Sequence, residues 1–382
     1  MNQRFYSLDV FRGATVALMI LVNTPGSWAH IYPPLEHASW HGCTPTDLVF
    51  PFFLFAVGNA MAFVMPKLDT AGEGAFWQKV IKRTLLIFII GLLLNWFPFV
   101  KWEGVQLVGK PWANVRILGV LQRIALCYFF ASVIVHYLKA RGAFVAGAFI
   151  LLAYWFLCIA GNPADPYSLP GWFGTKIDIA ILGDSHMYHG EGRTFDPEGL
   201  MSVFAAIVQV ILGYLVGNYI LTKGKTHEMV NGLFVAGCVL VFAGFCWDMV
   251  FPLNKKIWTS SYTIYTTGLA LLVLSVLIHI IEFKGWKGWW SRFFDVFGKN
   301  PLFIFVLSGA LPRLLSLIRI PNGLDTTGKP KFLSPFGWFY EHACKPIFTD
   351  ERNSSLLYAL LMIGMYWFIG WLMDRKKIYV KV

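Results

Sequence analysis

LMSVFAAIVQVILGYLVGNYIL, residues 200–221, holds no Asp, Glu, Lys or Arg in 22 positions. A helix of that length rises about 33 Å, enough to cross the hydrocarbon core of a bilayer. Nine further apolar runs lie around it, at 8–24, 45–65, 80–98, 116–138, 143–161, 231–251, 259–281, 300–318 and 355–373. The 382-residue chain is 57% hydrophobic and 14% charged, whereas soluble domains are about 45–50% apolar and about 25% charged. That balance excludes a soluble enzyme, a disordered chain and a small secreted scaffold. The expected architecture is an all-α polytopic membrane bundle of ten transmembrane helices, with residues 1–382 as a single domain. The ninth run is interrupted by Pro312 and Arg313.

Basic residues orient the bundle. With both termini in the cytoplasm, that side collects 18 Lys and Arg, from Arg4 to Lys381, against 7 acids. The other side has 13 against 14, and Arg123 lies within the fourth run. The net charge of +11 then reflects topology, and no nucleic-acid partner is expected. The first run is followed by Asn23-Thr24-Pro25-Gly26, not by a small-residue cleavage site, so no cleaved signal peptide is expected. The long loops, 25–44, 99–115, 162–199 and 319–354, fall outside and are rich in Trp, Tyr, Pro, Gly and His. Chemistry is expected at that face or just beneath it.

The segment from His37 to Pro51 is the most informative. Thr44 reads as a helix N-cap, Pro45 as the first helical residue and Asp47 as the acid of a capping box. His37 and His41 precede this N-terminus, whose positive end favours a neutral imidazole, the form a general base needs. His30, His37 and His41, with Cys43 beside them, are spaced H-x6-H-x3-H. That matches no common zinc pattern, and no metal is expected. Asn23 closes the first run, either as a C-terminal cap or as an amide for substrate or His37. Arg123 sits about 10 Å deeper than Arg116 along a helix and needs a partner. Asp47 or Asp248 would supply one, and an anion site inside the bundle is the functional alternative. Arg12 pairs with Asp9 at i−3 while snorkelling, or serves a cytoplasmic phosphate site.

Two outer segments add acids and aromatics. One runs from Asp178 through His186 to Asp196-Pro197-Glu198-Gly199, with Asp196 as cap of the sixth run and Pro197 as its first residue. The other runs from Asp248 through Asn254-Lys255-Lys256 to Trp258. With Trp40 they suit a sugar, whose CH faces stack on aromatics and whose hydroxyls meet carboxylates; an interfacial aromatic belt is the plainer reading. Asp184, His186, His189 and Glu191 read as a wet loop sooner than a metal site, and Cys43 and Cys344 share the outer side, where an oxidising compartment would allow them to pair. No Walker loop, dinucleotide-binding glycine run or G-x-S-x-G elbow is present.

Ser7-Leu8-Asp9-Val10-Phe11-Arg12-Gly13 after Arg4, then Asn23, His37-Ala38-Ser39-Trp40 and Asp47-Leu48-Val49-Phe50-Pro51, resemble the heparan-α-glucosaminide N-acetyltransferase family, which includes a lysosomal enzyme and bacterial relatives. The likeness continues at Gly119-Val120-Leu121-Gln122-Arg123, Asp196-Pro197-Glu198-Gly199, Asn254-Lys255, Trp258 and Gly298-Lys299-Asn300-Pro301-Leu302. It implies an acyltransferase that passes an acetyl group from cytosolic acetyl-CoA to an amino sugar across the membrane, with acetyl-CoA as co-substrate. It implies His37 as the catalytic residue with Asn23 as partner; Asp47 would then set the imidazole tautomer, and Arg12, Arg123, Lys299 and Asn300 would lie on the CoA side. Trp40, His186, Glu198, Asp248, Asn254 and Lys255 would then face the sugar. The chain as given has neither a large lumenal N-terminal domain nor an extra first span, which points to glucosamine or a small amino sugar at a bacterial inner membrane. The family also implies a homodimer. The alternative from a different class is an amino-sugar permease using the same outer residues.

Overall fold

The computed structural model describes residues 5–324 and 328–380; Arg4 and Lys381, used above for likeness and charge, lie outside the described residues. The chain is mainly helical. Helix α1 covers Tyr6–Asn23. A 3-10 turn, Pro45–Leu48, runs straight into α2, Val49–Ala71, and α3 follows at Glu73–Trp96. The β1–β2 hairpin (Val100–Glu103, Gln106–Gly109) pairs Val100 with Gly109. Next come α4 (Val120–Gly161), α5 (Gly174–Leu182), α6 (Leu200–Lys223), α7 (His227–Asp248) and α8 (Ser260–Ile278). The chain ends with α9 (Trp289–Lys299), α10 (Pro301–Leu315), the β3–β4 hairpin (Ile320–Leu324, Pro330–Leu333), α11 (Pro335–Phe339) and α12 (Glu351–Arg375).

Among the described residues, seven helices are long and apolar enough to cross a membrane, or eight if the bent pair α9–α10 counts as one. Three features separate this count from the ten runs of the sequence. Runs 116–138 and 143–161 belong to one 42-residue element, broken at Lys139 where φ is 54° and ψ −173°. Helix α3 carries Lys79, Lys82 and Arg83 in its first half. The ninth run is only the second arm of a pair bent by 77°. Pro301 stands at the first position of α10 and has no N–H to continue α9. Lys299 and Asn300 serve this corner: Lys299 Nζ meets Asp295 at 2.8 Å and Asp374 at 3.0 Å. Asn300 donates to Ile378 O at 3.0 Å and accepts from Val380 N at 2.8 Å, which pins the C-terminal strand of chain to the bend.

Small residues let the helices approach. At Gly58 on α2 a Cβ would lie 2.0 Å from Val210 O, and at Gly213 on α6 it would lie 2.2 Å from Phe55 O. At Gly13 on α1 it would lie 1.7 Å from Phe294 O of α9. Backbone meets backbone at these crossings, the packing mode expected where lipid removes the hydrophobic drive between helices. Leu54, Phe55, Ala206, Val210 and Ile211 are fully buried around the α2–α6 contact. The paired helices hold α2 rigidly, and α2 carries the site described next. Gly58→Val is therefore expected to destabilise the protein by about 1–3 kcal/mol through overpacking. Gly364→Ala on α12, where a Cβ has nothing within 4 Å, should not destabilise it and should add up to about 1 kcal/mol of helix propensity. Thermal unfolding in detergent of the two variants beside the parent checks this; equal shifts would contradict it.

Candidate active site

The C-terminal turn of α1 and the start of α2 open on one cavity of about 320 Å3. Its wall includes Asn23, His37, Trp40, Asp47, Glu198 and Lys255, joined by Arg116, Tyr188, Glu191, Lys256 and Trp258. Residues more than 200 positions apart therefore meet in one place.

Asp47 organises it. The carboxylate is 1% exposed and divides its work between two oxygens. Oδ2 accepts from Thr44 N at 3.0 Å, Thr44 Oγ1 at 3.1 Å and Ala38 N at 3.0 Å. Oδ1 lies 2.7 Å from His37 Nδ1. Capping and imidazole orientation, alternatives in the sequence, are performed together. The helical start differs from expectation only in detail: Pro45 opens a 3-10 turn, and the α-helix begins at Val49. From α8, Tyr262 OH donates to Asp47 O at 2.6 Å and fixes the backbone. A carboxylate at Nδ1 assigns the proton to Nδ1 and leaves the Nε2 lone pair for the cavity. His37 is 43% exposed there. Lys255 Nζ lies 3.1 Å from Nδ1 and 3.3 Å from Nε2, and 3.7 Å from Asp47 Oδ1. Burial pushes the Lys255 ammonium below its usual range, against the pull of Asp47 and Glu198.

Asn23 does not cap α1. Thr24 takes that role, its N–H and Oγ1 both donating to Ile20 O at 3.1 and 2.7 Å. The Asn23 amide is left exposed to the cavity and has no side-chain partner among the described residues. It also lines a side chamber of about 260 Å3 that shares Arg116, Val120 and Phe305 with the first.

Arg116 closes the opposite wall. It grips Asp196 through Nε at 2.9 Å and Nη2 at 2.5 Å, and also binds Glu198. Burial alone would raise the Glu198 carboxyl, but Arg116 and Arg123 hold it below the ordinary range. Asp196 is thus not the cap of α6, which begins at Leu200. Asp178 accepts from Met201 N at 3.2 Å instead, and burial pushes Asp178 up to about 7. Arg123, fully buried, stands behind the wall. It donates to Gly199 O at 3.2 Å and to Ser202 Oγ, and lies 5.2 Å from the Trp258 ring centre. It meets neither Asp47 nor Asp248 in an ion pair among the described residues. It braces Trp258, a wall residue whose φ of 51° is rare for a bulky side chain.

The other expected residues sit apart. His186 Nδ1 bonds Val115 O at 2.7 Å. Asp248 accepts from Leu253 N at 2.6 Å, and Asn254 accepts from Ile257 N at 3.0 Å. These side chains build the turns beside the cavity and are not in its wall. His41 faces Asn254 at 3.4 Å, and burial lowers its pKa despite Asp248. His30 turns to Glu351 at 3.2 Å, so the three histidines do not converge. Cys43 and Cys344 are both free, in separate packing clusters; burial pushes the Cys43 thiol up to about 12. Trp40 is held by Nε1 donating to Tyr167 O at 2.8 Å. Lys256 bonds Ser39 O at 2.8 Å and Glu191 at 2.6 Å.

A second cavity, about 450 Å3, lies at the other ends of α1 and α2. It is lined by Asp9, Arg12, Asn59 and Lys67 among apolar residues. Arg12 spans Gly298 O at 2.8 Å and Asp9 at 2.8 Å. Lys299 and Asn300 are in neither wall. Along α2, Phe53 faces the first cavity and Ala56 the second, a rise of about 4.5 Å.

The Glu198 contact sets a pH dependence. Its folded value is depressed, so its contribution is complete above the unfolded value of about 4.3 and is lost as pH falls through the folded value. Glu198→Gln should cost about 1–3 kcal/mol near neutrality, and its gap to the parent should shrink as pH drops below about 4.3. Thermal unfolding of both across that range checks this; a constant gap would contradict it.

Comparison with known proteins bears on the same residues. The family model described as "Heparan-alpha-glucosaminide N-acetyltransferase, catalytic" matches residues 4–230, which include Asn23, His37, Asp47, Arg116, Arg123 and Glu198. The proteins named heparan-alpha-glucosaminide N-acetyltransferase from Homo sapiens and Mus musculus are 27% and 25% identical to the chain. Each alignment covers 99% of this chain and 60% of the relative, so the chain spans about 60% of the length of the curated relatives it matches. With its family match extending over more than half of its length, the chain belongs to the heparan-α-glucosaminide N-acetyltransferase catalytic family.

Proposed function

We propose that the protein is an integral membrane acetyltransferase that moves an acetyl group from cytoplasmic acetyl-CoA to the amino group of a glucosamine-type sugar. The observation that carries this is the His37–Asp47 pair, 2.7 Å apart, opening on a cavity with the unpartnered Asn23 amide in its wall. The names of the relatives support the reaction class.

The topology follows from taking α4 as two spans across Lys139 and counting α3 and the α9–α10 pair as one span each, which gives ten. An even count puts both termini on one side, and the Lys and Arg asymmetry makes that side the cytoplasm of a bacterial plasma membrane. The His37 cavity then faces outward, and the Arg12 cavity faces in. Lys67, with Arg12 in its pair with Asp9, leaves the inner cavity net positive beside an apolar lining, a donor set that fits the phosphate end of acetyl-CoA and its pantetheine arm. Arg123, Lys299 and Asn300 brace the site from outside both walls.

His37 Nε2 takes a proton from the sugar ammonium as the nitrogen attacks the thioester carbonyl. Asp47 keeps the Nδ1 proton in place and stabilises the imidazolium that forms. Asn23 donates its amide N–H to the developing oxyanion. His37 then returns the proton to the departing sulfur, and the second nitrogen proton leaves to water. Trp40 supplies an apolar face for the sugar ring, and Glu198 supplies an acceptor for its hydroxyls. The single helical turn of α2 between the two cavities favours direct transfer over an acetyl-His37 intermediate.

Purified protein mixed with acetyl-CoA and glucosamine should release free thiol and N-acetylglucosamine in equal amounts. His37→Ala, folded as judged by its elution profile, should lose about 10²–10⁴-fold in rate. Glucosamine taken up unchanged into vesicles, with no thiol released by the parent, would contradict the proposal and support a permease.

A further inference from the structure

The sugar's ammonium group has a counterpart in the chain itself. Lys255 places a primary ammonium 3.1 and 3.3 Å from the two ring nitrogens of His37, on the wall of the same cavity. Its side chain is 21% exposed. Its backbone is fixed, because Lys255 O accepts from Trp258 N at 3.2 Å within the turn that Asn254 and Thr259 close. Two carboxylates attract Nζ, Asp47 and Glu198, and both are already engaged, Glu198 by Arg116. Asp47 stands at 3.7 Å with its oxygens already engaged by His37, Ala38 and Thr44. The adjacent Lys256 is the contrast: it pairs with Glu191 at 2.6 Å and bonds Ser39 O.

We propose that Lys255 is a modification site: when no sugar is present, the catalytic centre transfers the acetyl group to Lys255 Nζ. This rests on the reading of His37 as base and acetyl-CoA as donor. The step balances. The Lys255 ammonium gives one proton to His37 Nε2, and the freed nitrogen pair forms a bond to the thioester carbonyl carbon. The carbon–sulfur bond breaks with its electron pair on sulfur, and His37 returns the proton to it as CoA thiol. The second nitrogen proton leaves to water. Lys255 ends as an Nε-acetyl amide, neutral and longer, lying across the cavity. An amide is a poor acyl donor compared with a thioester, so the product does not hand the group on. The modification therefore silences the site, and a sugar bound beside His37 prevents it by taking the place of Lys255. Burial, which already favours the neutral amine at Lys255, acts in the same direction.

The test uses the full-length protein in detergent with acetyl-CoA carrying an isotope-labelled acetyl group, no sugar, and peptide mass spectrometry. Label is expected on Lys255 and not on Lys256. It should fall at least tenfold in His37→Ala and in the more conservative His37→Gln, and should fall as glucosamine is added. Loss of sugar turnover should track the labelled fraction. An unlabelled Lys255, or equal label on Lys256 or in both His37 variants, would overturn the proposal. A parallel glucosamine assay separates the two levels. Sugar acetylation without Lys255 label removes this inference and leaves the proposed function standing; absence of both products removes both.

Discussion

The site depends on one buried carboxylate. Asp47 sits where α2 begins, and an ionised group there is tolerated only if its lone pairs are filled. Four polar contacts from Thr44, Ala38 and His37 fill them. Satisfying the charge also fastens the loop between α1 and α2 to the bundle and sets the imidazole of His37. The stability of the helix start and the orientation of the His37 imidazole are the same set of hydrogen bonds. An account of one without the other would leave part of this carboxylate unexplained.

Around that point the fold supplies walls and support. Glycines at the α2–α6 crossing bring the backbones together and leave α2 little freedom to tilt. Arg116, Asp196 and Glu198 tie the segment before α4 to the segment before α6. Arg123 then fills the space under Trp258. This arginine stands outside the cavity: its Nη2 donates to a carbonyl and a hydroxyl and the guanidinium lies over an aromatic face, while Nε and Nη1 are buried without a hydrogen-bond partner among the described residues. The second cavity is formed by the other ends of α1 and α2, so the two helices that present Asn23 and Asp47 at one end present Arg12 and Lys67 at the other.

Composition and run length were enough for a helical membrane bundle, because burying this much apolar side chain has few other solutions. The Thr44-Pro45…Asp47 start was legible because capping is local. What was not legible depends on distant pairing. Arg116 served only as a depth marker in the sequence, and its partners lie 80 and 82 positions away; the acid pair in Asp196-Pro197-Glu198 was the available signal that a cation was needed. Asp196 was misread as a cap because the pattern of Asp before Pro has two uses, and Asp178, from another element, took the capping position. Asp248, Asn254 and His186 have the right chemistry for a sugar, yet their nearest unsatisfied backbone groups claim them first. The break at Lys139 was legible because the charges of Lys139 and Arg141 end one apolar run before the next begins, whereas the ninth run was read as interrupted at Pro312 and Arg313 and the bend lies instead at Asn300-Pro301. Lys256, Tyr188 and Glu191 reach the cavity from loops whose course the sequence does not fix.

The most direct measurement is the turnover number of Asp47→Asn with acetyl-CoA and glucosamine. The amide can still accept from Thr44 and Ala38 through its oxygen, so the helix start survives, while the negative charge that orients and stabilises the His37 imidazolium is gone. The account predicts a folded protein with substrate binding retained and a turnover number lower by about 10²–10⁴-fold. A folded Asp47→Asn enzyme with unchanged turnover would contradict it.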